Sequence, residues 1–186
     1  MSKKFEHTLA FHCGPAILGI KASNLINLSL ADYPNILDEI KHLNKIFNPY
    51  YYFMVLSKKN GRILILVFQL EALKKAVLNT DSLNFLVENG YPSKKNIFTL
   101  IKYLKMRLAT SCDFPHEIGV FLGYDLDDTI AFLNKDKKCL YTGYWKVYSD
   151  LEKKLQTFLM FTNCRNNLLE MLSKGFSLEG IMERMI

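Results

Sequence analysis

The sequence predicts an α+β fold, in which a small, mostly antiparallel sheet of about four strands is embedded in a helix-rich chain. Two observations favour this class. Two segments rich in aromatic and β-branched residues flank the turn Asn60-Gly61, which is typical of a β-hairpin. Apolar residues also recur at helical spacing before and after this hairpin. We therefore predict one globular domain over residues 1–186, with a helical segment at about 69–135 inserted between strands.

The first elements follow from local patterns. Residues 24–28 are interpreted as a short strand. Apolar side chains at helical spacing predict a helix over 36–47, which Asn48-Pro49 ends because proline cannot continue it. The hairpin arms are residues 51–57 and 62–68. Because the second arm contains the uninterrupted apolar run ILILVF, we predict that it is a central strand covered on both faces.

Helices dominate after position 69. Apolar spacing predicts three of them between residues 70 and 108, and Ser93 is the predicted N-cap of the third. Residues 144–148 alternate as a half-buried strand does, and a long amphipathic helix follows until Gly175. Ser177 is the predicted cap of a last short helix. The order of elements matches a ferredoxin-like split βαβ sheet with a helical insertion between its third and fourth strands.

Composition narrows the class of protein. Hydrophobic residues make up 49% of the chain and charged residues 23%, as in ordinary globular proteins, so disordered and fibrous classes are disfavoured. No apolar run approaches the roughly 20 residues of a membrane-spanning helix, and no signal-peptide core forms near the N-terminus. We predict a cytoplasmic protein without a membrane partner. Its four cysteines are widely separated and are expected to be free thiols.

The net charge of +6 raises the question whether the protein binds nucleic acid. The lysines are scattered doublets, which is typical of a solvated surface, so a nucleic-acid partner is disfavoured. One basic helical face is the local exception, formed by Lys94, Lys95, Lys102, Lys105 and Arg107.

The most distinctive residues lie in FPHEIGVFLGYDLDD, positions 114–128, and GYWKVYSD, positions 143–150. Helix start and stop chemistry accounts for Pro115, Glu117 and Asp125 in the first segment. Local structure does not account for His116, whose ordinary pKa near 6.5 suits a general base or a ligand. His116 and its neighbour Glu117 are therefore candidate catalytic residues.

A second candidate constellation is HCGPAILGIK, positions 12–21. If Cys13 begins a helix, the helix dipole promotes its thiolate, with His12 or His116 as base and Lys21 binding an anion. The structural alternative is that Cys13 is a small buried hydrophobic residue and Gly14-Pro15 a turn. The second cysteine of a thioredoxin-type site is absent, so dithiol exchange is disfavoured.

Several blocks together resemble a bacterial family known chiefly from Firmicutes and catalogued as domain of unknown function 3793. They are HCGPAILGIKASNL, the hairpin ending RILILVF, FPHEIGVFLGYDLDD and GYWKVY, in that order. Similar proteins often carry alanine at the position of Gly14 and proline at that of Asp125. The resemblance implies no reaction, ligand or catalytic residue.

Two function hypotheses follow. The favoured one is a noncatalytic binding module for a small molecule or a protein partner. The alternative is a thiol-dependent enzyme that uses Cys13, with His12 or His116, on a small anionic or acyl-type substrate. Metal or haem binding through His12, Cys13 or His116 is a weaker alternative, because their spacing is undiagnostic. The residues decide neither the cofactor, nor the oligomeric state, nor whether the protein is an enzyme.

Overall fold

In the computed structural model, which describes residues 1–110, 113–135 and 137–186, helices surround one three-stranded sheet and one small hairpin. This arrangement confirms the α+β class. The elements in chain order are α1 Lys3–Ile17, β1 Ser23–Ser29, α2 Ile36–Phe47, β2 Tyr51–Lys59, β3 Arg62–Gln69, α3 Leu70–Val77, α4 Thr80–Glu88, α5 Ile97–Thr110, α6 Ile118–Phe121, α7 Leu126–Asn134, β4 Tyr141–Thr142, β5 Lys146–Val147, α8 Leu151–Ser173 and α9 Leu178–Glu183.

The main sheet has the strand order β1-β3-β2 and is antiparallel throughout. Its register pairs Ile65 of β3 with Ile26 on one side and with Val55 on the other. The prediction that β3 is the central strand is therefore confirmed. The hairpin turn is confirmed as well, because Asn60 and Gly61 both have positive φ, at 52° and 70°, as a tight hairpin turn requires.

Side chains of β3 alternate between two hydrophobic cores. Ile63, Ile65 and Val67 belong to one core, which α1, α2, α9 and the C-terminal half of α8 cover. Leu66 and Phe68 belong to the other core, which α3, α4, α5 and α6 cover. Both faces of the sheet are thus buried, which explains the apolar run in this strand.

Two sequence predictions about topology differ from the structure. The strand expected at 144–148 is shorter, and it pairs with Tyr141–Thr142 in a separate hairpin instead of joining the main sheet. The ferredoxin-like order is therefore wrong. The chain also begins with a helix where a turn at Gly14-Pro15 was expected. Pro15 lies in the last turn of α1, and Gly14 packs against α8, where an added Cβ would lie at an ordinary van der Waals distance of 3.4 Å from Leu168.

Helix caps were predicted with mixed success. Asp125 caps α7 and Ser177 caps α9, because each side chain accepts a hydrogen bond from a backbone N–H in the first turn. Ser93 does not cap α5; Asn96 does so instead, accepting from the Thr99 N–H at 3.1 Å. Among the described residues, no helix combines the length and the hydropathy needed to cross a membrane.

Candidate functional site

Cys13, the predicted nucleophile, lies in the second half of α1 and is completely buried. The prediction of a thiol at a helix N-terminus is therefore wrong. Burial raises the pKa of Cys13 from 9.0 to about 12, against a smaller lowering by the positive charge of Lys21. A thiol with this pKa stays protonated at neutral pH, and thiolate is the nucleophilic form.

Lys21, the predicted anion ligand, is buried beside Cys13. Burial lowers the pKa of its ammonium from 10.5 to about 8. Nζ lies 5.2 Å from the ring centroid of Tyr124, and no hydrogen bond or ion pair to it occurs within the described part of the chain. His12 is exposed, and partial burial and the charge of Arg165 lower its pKa.

Glu117 has a structural environment. Its buried carboxylate lies 2.7 Å from Nε of Arg107 and accepts a hydrogen bond from the Tyr91 hydroxyl at 3.0 Å. Burial, reinforced by the charge of Glu117, raises the pKa of Tyr91. The carboxylate was expected to interact with the positive end of a helix, but instead it joins α5, the α4–α5 loop and α6. Arg107, which was expected to lie on a basic face, is partly buried in this contact.

Residues 123–125 of the first distinctive segment form a tight turn after α6. Gly123 has φ of 69°, and a Cβ there would lie 2.8 Å from Cβ of Ala22, the residue before β1. The Ser23 hydroxyl donates a hydrogen bond of 2.7 Å to the carbonyl of Phe121 in the same region. These contacts fix the end of α6 against the sheet and direct the chain into α7.

Asp128 joins the two distinctive segments. Its buried carboxylate accepts hydrogen bonds from Trp145 Nε1 at 2.8 Å, from Tyr148 N at 2.8 Å and from Ser149 N at 3.2 Å. Nζ of buried Lys154 lies 3.8 Å from this carboxylate and 3.2 Å from Asp125. The carboxylate therefore fixes the Trp145 ring relative to α7.

Sequence reasoning missed this role, since it treated Asp128 only as a first-turn acid. A signal was nevertheless present, because a tryptophan in a half-buried strand usually finds an acceptor for its N–H, and a carboxylate lay in the neighbouring distinctive segment.

Between α6, α7 and the β4–β5 hairpin lies a cavity of about 220 Å³, which we call the aromatic cavity. Four aromatic rings, one imidazole and one ammonium form much of its wall: Phe114, Tyr124, Phe132, Trp145, His116 and Lys146. Trp145 stacks on Tyr124 with ring centroids 5.0 Å apart. The His116 imidazole meets the Phe132 ring edge to face at 4.9 Å.

A wider, more polar depression of about 690 Å³ adjoins the aromatic cavity, and we call it the basic basin. It shares Phe114, His116, Phe132 and Lys146 with the cavity, so the two volumes have a common wall. Three lysines and one aspartate supply the charges on its described lining: Lys135, Lys137, Lys146 and Asp113. The described part of the lining therefore carries more positive than negative charge.

The polar groups of the site differ in how many hydrogen-bond and ion-pair partners they have. Asp128 is saturated by its donors, and the Thr129 hydroxyl donates to the Asp125 carbonyl at 3.0 Å. No side-chain hydrogen bond or ion pair involves His116 or Lys146 among the described residues. These two groups are therefore available to a ligand at the boundary between the cavity and the basin.

The predicted site residues do not form one constellation. Cys13 and Lys21 lie together inside the fold, His12 is on the surface, and His116 and Glu117 belong to the segment around α6. Of the other cysteines, Cys139 and Cys164 are free thiols, as is Cys13, and Cys112 lies outside the described residues. No group of three or more metal-ligating side chains occurs within the described residues.

Comparison with known proteins gives a family. The chain belongs to the family described as "Protein of unknown function (DUF3793)", whose model matches residues 9–182 of its 186 residues. No curated protein matches the chain. No solved structure matches it either.

Proposed function

We propose that this protein is a noncatalytic binding module that holds a small molecule in the aromatic cavity. The observation that carries the proposal is the fixation of Trp145 by Asp128, which holds an aromatic wall in place beside two polar groups that have no hydrogen bond or ion pair with other described residues. Concave, largely apolar sites with a few oriented polar groups are the usual form of small-molecule sites. A single domain in the cytoplasm is part of the proposal, and the three described cysteines, which are free thiols, support that location.

The size and lining of the cavity favour a flat, apolar group. A volume of about 220 Å³ accommodates one or two fused rings, and ring faces and edges stack favourably with phenylalanine and tryptophan. His116 and Lys146 lie at the boundary with the basic basin, where a polar or anionic substituent of the ligand would be placed. The proposal therefore assigns recognition, and not chemistry, to His116.

A second proposal, thiol-dependent catalysis through Cys13, has one supporting observation. Lys21 and Cys13 are buried close enough for each to perturb the pKa of the other. A lysine with a pKa of about 8 can exchange protons near neutral pH. Against this proposal stand the complete burial of the thiol and its raised pKa, so we rank it below binding.

The binding proposal has a convenient optical test, because Trp145 is the only tryptophan in the chain. A library of small aromatic compounds is screened by the change in Trp145 fluorescence. We expect at least one compound to change the emission saturably, with affinity reduced in His116→Ala. The matched control is His7→Ala, which removes another exposed histidine, on α1. If no compound binds, or if both variants lose affinity equally, the proposal is wrong.

A further inference from the structure

We propose that the ligand of this site is a nucleotide-like molecule, in which a flat heteroaromatic ring occupies the aromatic cavity and a phosphate occupies the basic basin. This inference rests on the proposed function and names the ligand class. Three observations carry it: the aromatic walls of the cavity, the cluster of lysines in the basin, and the groups that connect the two volumes.

The ring requirement follows from the cavity. Phe114 and Phe132 line both volumes, and Trp145 lines the inner one. Stacking on such rings favours any flat base, since every base has a π face. Asp128 already accepts the Trp145 N–H, so the indole offers a ring surface and no free donor.

The phosphate requirement follows from the charges of the basin. Lys135, Lys137 and Lys146 line it against one described carboxylate, that of Asp113, which gives three positive charges and one negative charge. None of these lysines has an ion pair within 4.0 Å among the described residues. A phosphate monoester, with nearly two negative charges at neutral pH, matches this excess better than a single carboxylate does.

The shared wall of the two volumes favours a ligand that contains both a ring and a phosphate over either group alone. Lys146 lines both, and its Nζ lies 5.3 Å from the Phe132 ring centroid, so an ammonium is located beside an aromatic wall. His116 contacts the same ring and also lines both volumes. A ligand that joins a ring to a phosphate would engage both volumes across this boundary, whereas either half alone would use one.

The test compares matched ligands by Trp145 fluorescence and isothermal titration calorimetry. The probes are AMP, GMP, CMP and UMP, their uncharged nucleosides, and ribose 5-phosphate, which lacks the base. We expect at least one nucleotide to bind about tenfold or more tightly than its nucleoside, and ribose 5-phosphate to bind more weakly than that nucleotide. Nucleotide affinity should fall as NaCl is raised, because exposed charges are screened.

Variants distinguish the effect of the basin lysines from the effect of a lower net charge. Lys135→Met, Lys137→Met and Lys146→Met are combined in one protein. We expect this triple variant to lose about tenfold or more in nucleotide affinity, and to lose a smaller factor in nucleoside affinity, since only Lys146 of the three also lines the aromatic cavity. The charge-matched control combines Lys94→Met, Lys95→Met and Lys102→Met at exposed positions that do not line either volume, and it should bind as the wild type does.

Each outcome is decisive. A nucleotide no tighter than its nucleoside, equal binding by ribose 5-phosphate, or equal losses in both triple variants would overturn the nucleotide inference. A neutral aromatic compound that binds while the nucleotides do not would overturn it as well, yet would leave the binding module intact. A short single-stranded oligonucleotide that binds more tightly than the best nucleotide would also overturn the inference, because the base and the phosphate would then be supplied by nucleic acid and not by a small molecule.

Discussion

Replacement of Asp128 by asparagine should destabilise the fold by about 3–5 kcal/mol. The buried carboxylate accepts three N–H donors, and asparagine keeps only one acceptor oxygen. If that oxygen remains with Tyr148 N and Ser149 N, the new amide N–H₂ faces the Trp145 N–H, which lies 2.8 Å from the present oxygen. The Trp145 N–H, which is partly buried, loses its acceptor, and this loss costs up to about 3 kcal/mol.

Loss of the ion pair between Asp128 and Lys154 accounts for the rest of the predicted destabilisation. Lys154 is buried and lies 3.8 Å from Asp128, so the substitution removes one of its two carboxylate neighbours and leaves Asp125 at 3.2 Å. A buried charge that loses a partner is strongly destabilising. Adding Lys154→Met to Asp128→Asn should therefore cost less than the sum of the two single changes, since the charge that needs a partner is gone.

The assay is urea unfolding followed by far-UV circular dichroism, which reports on all helices and not on the altered Trp145 environment. The matched control is Asp127→Asn, the exposed neighbour in the same first turn of α7, which should cost less than about 1 kcal/mol. If Asp128→Asn costs no more than this control, Asp128 does not hold the hairpin and the reasoning fails.

Three further predictions concern other parts of the chain. Folding lowers the pKa of Lys21 from 10.5 to about 8, so this group makes stability rise with pH between those values. Because folding also raises the pKa of Cys13 from 9.0, which opposes the rise above pH 9, the net rise in wild-type stability is expected between about pH 8 and pH 9. Lys21→Met should be more stable than the wild type at pH 7 by up to about 3 kcal/mol. At pH 7 the Cys13 thiol is protonated in both proteins and does not enter the comparison; a Lys21→Met protein that is less stable at pH 7 would contradict the reasoning. Iodoacetamide should modify the partly exposed Cys139 well before the buried Cys13, as measured by peptide mass spectrometry, and fast labelling of Cys13 in the folded protein would revive the thiol-dependent alternative. Gly143→Ala should lower the free energy of unfolding by about 1–3 kcal/mol in urea titrations, because the added Cβ overlaps the ring of Phe158, and an unchanged midpoint would refute the close contact.

Local chemistry in the sequence was enough to predict much of the fold. The positive φ at Asn60 and Gly61 produced the hairpin, and helical spacing predicted α2 with the bounds that the structure has. The caps Asp125 and Ser177 were also correct, because a cap depends on a few neighbouring atoms.

Interactions between distant segments account for the errors. Gly14-Pro15 has the composition of a turn, yet α1 continues through it, because Gly14 packs against α8, more than one hundred and fifty positions later. The hairpin containing Trp145 has strand spacing, but its partner strand is Tyr141–Thr142, and spacing alone does not choose a partner.

The candidate site was predicted in part. His116 was selected because no local rule explained it, and it lines the aromatic cavity. Lys146 and Trp145 were within a segment identified as distinctive, yet their contribution depends on Asp128, which brings that segment to α7. Cys13 was the attractive choice by residue type, and only its burial reveals the cost of ionising it.

The central claim is that the aromatic cavity holds a small molecule, and native mass spectrometry of the gently purified protein tests it most directly. We predict a bound species whose mass disappears on denaturation and whose occupancy falls in His116→Ala but not in His7→Ala. A natively purified wild-type protein with the mass of the polypeptide alone, before and after incubation with a metabolite extract, would contradict the account.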